Sequence, residues 1–126
     1  LLTDIFSFYP NGDVELTVGV GERSLQTDTA TALGLILNEL ATNAIKHGFS
    51  EEETPRFAVS MEESAQARSY LITVTQNGPP LPEDVELSDE GSSGLGLVRA
   101  LVSQLKGTLE LERHPSPTFR IRMPME

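Results

Sequence analysis

Cysteine and tryptophan are both absent from the 126 residues, and aromatics of any kind make up only 6%. Without cysteine the chain can build neither a disulfide framework nor a thiolate-held metal site, which fits a reducing compartment. Basic residues are scarce: 9 Lys and Arg stand against 19 Asp and Glu, giving a formal net charge of −10. Such a surface repels polyanions, so no nucleic-acid partner and no contact with an anionic membrane are expected. No apolar run approaches the roughly 18 residues that would span a bilayer, and no secretory signal opens the chain. The first residue is Leu1 rather than Met, and the chain is expected to be a piece of something longer. Its length suits one compact domain with its own core, covering residues 1–126.

Hydrophobic patterning gives the element order. Asp13 to Val20 alternates, with Val14, Leu16, Val18 and Val20 on one side, as in a half-buried strand. Asn11-Gly12 before it is a turn signal. Thr27 or Asp28 is placed to cap a helix running to about His47, where Gly48 stops it. Arg56 to Glu62 and Tyr70 to Gln76 read as strands joined by a turn at Ser64 to Arg68. Gly94 to Lys106 reads as a second helix, with Leu97, Leu101 and Leu105 stacked at i, i+4 spacing and Gly107 ending it. Thr108 to Arg113 and Thr118 to Met123 form a closing strand pair. Between the middle strands and the second helix, Asn77 to Gly91 holds three prolines, two glycines and five acidic residues. A segment this long and this poor in apolar residues reads as a functional loop. Strands on one side and two helices on the other predict a two-layer α/β sandwich, a mixed sheet with helices packed on one face.

The first helix carries chemistry beside its core stripe. With Leu33 as zero and about 100° per residue, Ile36, Leu37, Leu40 and Ala44 lie within about 60° of it. Glu39, Asn43 and Lys46 cluster at about 220–280°, and Asn38 stands apart at about 140°. On spacing alone this ridge is a solvated helix face supported by i, i+4 pairs. Its second reading is a site for an anionic ligand and its metal. The amide oxygen of Asn43 is a hard, neutral ligand of the kind Mg²⁺ accepts. Glu39 can orient or deprotonate a nucleophile or a metal-bound water, and Lys46 can neutralise phosphate charge. His47 at the helix end reads first as a charge–dipole contact.

Two glycine segments complete the pattern. Gly91-Ser92-Ser93-Gly94-Leu95-Gly96-Leu97 leads into the second helix, where close backbone approach and free N–H groups suit a phosphate; a hinge with a Ser cap explains it equally well. Gln76-Asn77-Gly78-Pro79-Pro80 leaves a strand, and Gly78 permits a tight turn beneath a planar ligand, or simply a proline-rich strand exit.

Together these segments resemble the catalytic domains of sensor histidine kinases within the GHKL ATPase superfamily. Leu35 to Gly48, ending Lys46-His47-Gly48, is similar to the N box, with an ending like that of the HWE-type and related kinases. Gly94-Leu95-Gly96-Leu97 resembles the second glycine box, and Asn77 to Pro82 the first. The resemblance implies a Bergerat-type ATP-binding fold and the cofactors ATP and Mg²⁺. It implies Asn43 as metal ligand, with Glu39 near the γ-phosphate and Lys46 and His47 beside the phosphates. Gly94, Leu95 and Gly96 would line the triphosphate, with Asn77 to Gly91 as the lid. The implied activity is protein histidine kinase: γ-phosphoryl transfer to a His on an upstream dimerisation domain of a homodimer, then to a response regulator, in the cytoplasm. No segment resembles that phosphoacceptor domain, so the fragment alone is not expected to autophosphorylate.

Two departures mark the first glycine box. Gln76 stands where the family has an Asp that accepts from the adenine amino group, and Pro80 replaces the second glycine. The Gln carbonyl can accept the same hydrogen bond without charge assistance, a loss of about 1 kcal/mol. Trp-x-Glu of strict HWE members is missing. The alternative function is a degenerate domain of this fold that has lost ATP and serves as a docking module; a serine kinase of the anti-sigma-factor type on the same fold is a third.

Overall fold

The computed structural model describes residues 15–19, 25–45, 54–80 and 95–125. Five strands and two helices are present: β1 (Glu15–Gly19), α1 (Thr27–Asn43), β2 (Arg56–Ser64), β3 (Ser69–Gln76), α2 (Leu95–Gln104), β4 (Thr108–Glu112) and β5 (Thr118–Pro124). They form one sheet in the order β1-β2-β3-β5-β4. β1 and β2 are parallel, and every other neighbouring pair is antiparallel. The predicted two-layer sandwich with a mixed sheet is what the chain adopts.

Strict alternation decides which sheet face is covered. Along β3, Tyr70, Ile72, Val74 and Gln76 are buried and the residues between them are only half-buried. Phe57 and Val59 of β2 and Phe119, Ile121 and Met123 of β5 join the first three in one core. Ala32, Leu33, Ile36, Leu40 and Ala41 of α1, Ala44 just past its end, and Leu95, Val98, Leu101 and Val102 of α2 cover that same cluster. The opposite face keeps the charges, including an Arg120 to Glu112 ion pair at 3.0 Å.

Both helices therefore lie on one face, and this has a topological consequence. The steps from β1 to β2 and from β3 to β4 move the same way across the sheet. β3 runs opposite to β2, and β4 runs parallel to β3 with β5 between them. Two crossovers of equal lateral sense and opposed strand direction can share a face only if their hands differ. One of the two is left-handed, against the usual strong preference for the right-handed form.

Several local expectations change. Gln26, not Thr27 or Asp28, occupies the N-cap of α1, and its side chain makes no capping bond. Thr27 is already helical, and Asp28 lies in the first turn, where its charge meets the helix dipole. Beyond Asn43 the helical backbone continues as a π turn at Ala44 and Ile45. The expected stop at Gly48 lies outside the described residues, as do Val14 and Val20, the Asn11-Gly12 turn and most of Asn77 to Gly91.

The α2 stripe is rotated from the expected one. Leu97 is 50% exposed, while Leu95, Val98 and Val102 carry the core contact. Leucine spacing placed the stripe about 60° too far round, because the two valines at the centre drew less weight than three leucines. The end of α2 also differs. Lys106 takes the left-handed conformation at φ 60. Its N–H donates to Ser103 O at 2.9 Å, and that of Gly107 to Val102 O at 3.0 Å. This is the paired bond pattern of a Schellman cap with Lys at the position glycine usually takes. Gly107 is required for a different reason: a Cβ there would meet the Arg122 carbonyl oxygen at 2.4 Å.

Candidate functional site

The register brings four separate segments to one end of the sandwich. Gln76, the last residue of β3, pairs with Phe57 near the start of β2. The start of β2 follows from the C-terminal end of α1, and the chain leaving Gln76 leads to the N-terminal end of α2. A groove of about 630 Å³ at the far end is shared by the start of α1 (Gln26, Ala32) and the end of α2 (Leu105, Lys106). The helices therefore run antiparallel, with the beginning of α2 directed toward the later half of α1.

At this end the core face carries two polar side chains. Asn43 is 5% exposed and Gln76 6%, the two buried polar residues among those described. The sequence expectation of a ridge on a solvated face thus needs correction for Asn43. Its wheel position, next to that of Ile36, puts it at the margin of the core. Glu39, one turn earlier, is half-buried. Lys46 and His47 lie outside the described residues.

Gln76 occupies the fourth core-facing position of β3, after Tyr70, Ile72 and Val74. An apolar side chain would continue that series at no desolvation penalty. Instead an amide is buried there, and its Oε1 has no hydrogen-bond partner among the described residues. A buried acceptor left in this state costs about 1–3 kcal/mol. Such an orphan at the edge of a core is open to a donor from outside the described residues, whether water, a neighbouring segment or a ligand.

The backbone around Gln76 is held from both sides. Asn77 Nδ2 donates to Thr54 O at 2.8 Å, and Asn77 Oδ1 accepts from the Arg56 N–H at 2.7 Å. The Asn77 N–H donates to Arg56 O at 3.3 Å, extending the β2–β3 ladder by one step. On the other side Ser116 Oγ donates to the Gly78 carbonyl at 2.6 Å, and the Gln76 N–H donates to Pro117 O at 3.4 Å. Gly78 is itself buried, while Pro79 and Pro80 are exposed. Asn77 and Ser116 are the residues that sequence reasoning missed. Asn77 was only one letter of a glycine segment, and nothing in the sequence joins Ser116 to a glycine 38 positions away.

Leu95 and Gly96 open α2. The Leu95 side chain is 1% exposed and belongs to the core. What it offers a ligand is a backbone N–H in the first helical turn, which has no intrahelical acceptor. Gly96 is half-buried in the same turn, and Gly94 lies outside the described residues. No cluster of three or more His, Cys, Asp or Glu exists among the described residues. An all-protein metal cage is therefore not formed by them. Mg²⁺ with a nucleotide needs none, since it keeps waters and phosphate oxygens and takes one or two protein ligands. No described helix is long and apolar enough to cross a membrane.

Blue-light-activated histidine kinase 2 of Erythrobacter litoralis is 31% identical over 109 residues, 86% of this chain and 31% of that protein. Sensor histidine kinase PdtaS of Mycolicibacterium smegmatis is 36% identical over 93 residues, 73% of this chain and 18% of that protein. The chain thus spans a third or less of the length of these relatives. Among solved structures, the histidine kinase domain of the Erythrobacter litoralis EL346 blue-light activated histidine kinase superposes with a TM-score of 0.86 at 26% identity. That match covers 98% of this chain and 57% of the other. Residues 28–126 match the family described as histidine kinase-, DNA gyrase B- and HSP90-like ATPase. With the fold and the family match in agreement, the chain belongs to this ATPase family.

Proposed function

We propose that the chain is the ATP-binding catalytic domain of a sensor histidine kinase, a single module of a longer cytoplasmic signalling protein. The observation that carries this reading is the buried Oε1 of Gln76 at the end of β3, which has no hydrogen-bond partner among the described residues. An adenine amino group is the donor it lacks. The histidine kinases among the relatives supply the rest of the reading.

Each site residue then has a task. Gln76 accepts from the base, and buried Gly78 lets the backbone run close beneath it. Asn43 holds Mg²⁺ through its amide oxygen. When bound there, the ion would supply neutralisation of the charge that develops in phosphoryl transfer. Glu39, one turn before Asn43, faces the γ-phosphate and orients the attacking group. Lys46 and His47 lie beside the phosphates, and the N–H groups at Gly94, Leu95 and Gly96 receive them. The phosphoryl acceptor is a His on an upstream dimerisation domain of a homodimer, and the final acceptor an Asp on a response regulator. The protein's contribution is positioning and charge stabilisation rather than covalent chemistry.

A docking module without ATP would have no need for a buried amide at Asn43 or for one at Gln76 whose Oε1 has no partner among the described residues. Apolar residues at both positions would stabilise such a domain. Titration with a fluorescent ATP analogue separates the two readings. Saturable binding at micromolar to millimolar nucleotide, strengthened by Mg²⁺, is expected. A flat titration in the presence of Mg²⁺ would sink the catalytic reading.

A further inference from the structure

The amide at position 76 has a property that no carboxylate shares, and it bears on which nucleotide the site takes. Gln76 is 6% exposed, and its Oε1 is unpartnered among the described residues. The adjacent Asn77 cannot substitute for it, because both ends of that amide are engaged at Thr54 and Arg56. On the nucleotide-binding reading, Gln76 is therefore the side chain of this strand end available to meet the polar edge of a base. A carboxylate there would only accept. A carboxamide both accepts and donates, and half a turn about its terminal bond exchanges the two groups. That torsion is broad and roughly two-fold, so both orientations are rotamerically accessible. No donor among the described residues holds Oε1 in one of them.

Purines differ at the atom such a group would read. Adenine presents an amino donor at its 6-position, and guanine or hypoxanthine an oxygen acceptor. Facing adenine, Oε1 accepts; facing a 6-oxo purine, the turned amide donates from Nε2. Resting on the nucleotide-binding reading above, we propose that this domain accepts 6-oxo purine nucleoside triphosphates alongside ATP, with Gln76 as the residue that sets this tolerance. The backbone clamps at Asn77 and Ser116 fix the strand end and place no hydrogen bond on the Gln76 Oε1.

Displacement of a bound fluorescent ATP analogue by ATP, ITP and GTP, with Mg²⁺ present, tests this on the unaltered chain. ITP is expected to compete within about tenfold of ATP. A larger penalty for ITP, with ATP competing normally, overturns the inference and leaves the ATP-binding reading standing. No displacement by ATP itself overturns that reading. GTP adds a 2-amino group; if ITP competes and GTP does not, the barrier lies at the 2-position and the tolerance at the 6-position is upheld. Gln76→Glu keeps the length and removes the donor. It should widen the ATP-to-ITP ratio to roughly a hundredfold or more, as when a site's polar groups face an unmatched ligand. An unchanged ratio in that variant shows that residue 76 does not read the base. Should the variant fail to fold, the ITP-to-ATP ratio of the unaltered chain still decides the matter.

Discussion

Asn43→Ala is expected to fold at least as stably as the parent chain while losing Mg²⁺-dependent nucleotide binding by more than about a hundredfold, near 2.7 kcal/mol. The two halves of that result come from one fact, the 5% exposure of a polar residue at the end of α1. Burying an amide is unfavourable unless it is fully bonded, and Asn is a poorer helix former than Ala by about half a kcal/mol or more. Removing it should therefore leave the thermal midpoint unchanged or raise it by a few degrees. Removing the proposed ligand should at the same time abolish the difference between titrations with Mg²⁺ and with chelator. A destabilised variant that still binds nucleotide with full Mg²⁺ dependence would make Asn43 a packing residue and end its assignment to the metal.

Gly107→Ala is expected to destabilise the fold by about 3 kcal/mol, toward the upper end of what overpacking costs, and to lower the midpoint by roughly 10 °C. The added Cβ would lie 2.4 Å from the Arg122 carbonyl oxygen. That atom is backbone in β5, so it cannot swing aside as a side-chain tip would. Relief requires α2 and the sheet to move apart where Val102 packs. Gly34→Ala provides the contrast. Gly34 lies inside α1, and a Cβ there meets nothing within 4 Å, so the same change should stabilise by about 0.5–1 kcal/mol. Urea denaturation of both variants checks the pair. Equal effects would show that the approach to Arg122 does not constrain position 107.

Sequence patterning read the β3 alternation of Tyr70, Ile72 and Val74 and the α1 stripe of Leu33, Ile36 and Leu40 correctly, because period and polarity are local properties. The same local signals located Gln76 at a strand end and Asn43 on the helix. They did not show that both are buried, since burial depends on what another element places over them. Asn43 sat near the border between stripe and ridge, where a wheel cannot decide. The α2 stripe was misplaced for a related reason: the sheet selected Val98 and Val102, and Leu97 was left outside. The left-handed crossover was wholly illegible. Handedness depends on which face each helix takes, and no stretch of either helix encodes it alone. The Ser116 to Gly78 bond was equally hidden, because its two halves come from turns that meet only once the sheet order is set.

The clamps on Asn77 and Gly78 also determine when order is acquired. Fixing one residue's backbone costs about 1–2 kcal/mol of conformational entropy. For Gln76 to Gly78 that cost is met during folding, through bonds to Thr54, Arg56, Ser116 and Pro117 that are present without a nucleotide. On the proposed assignment of Gln76 to the base, a nucleotide would meet a preorganised floor at this strand end, and the free energy of its contacts there would go into affinity rather than into freezing the chain beneath it.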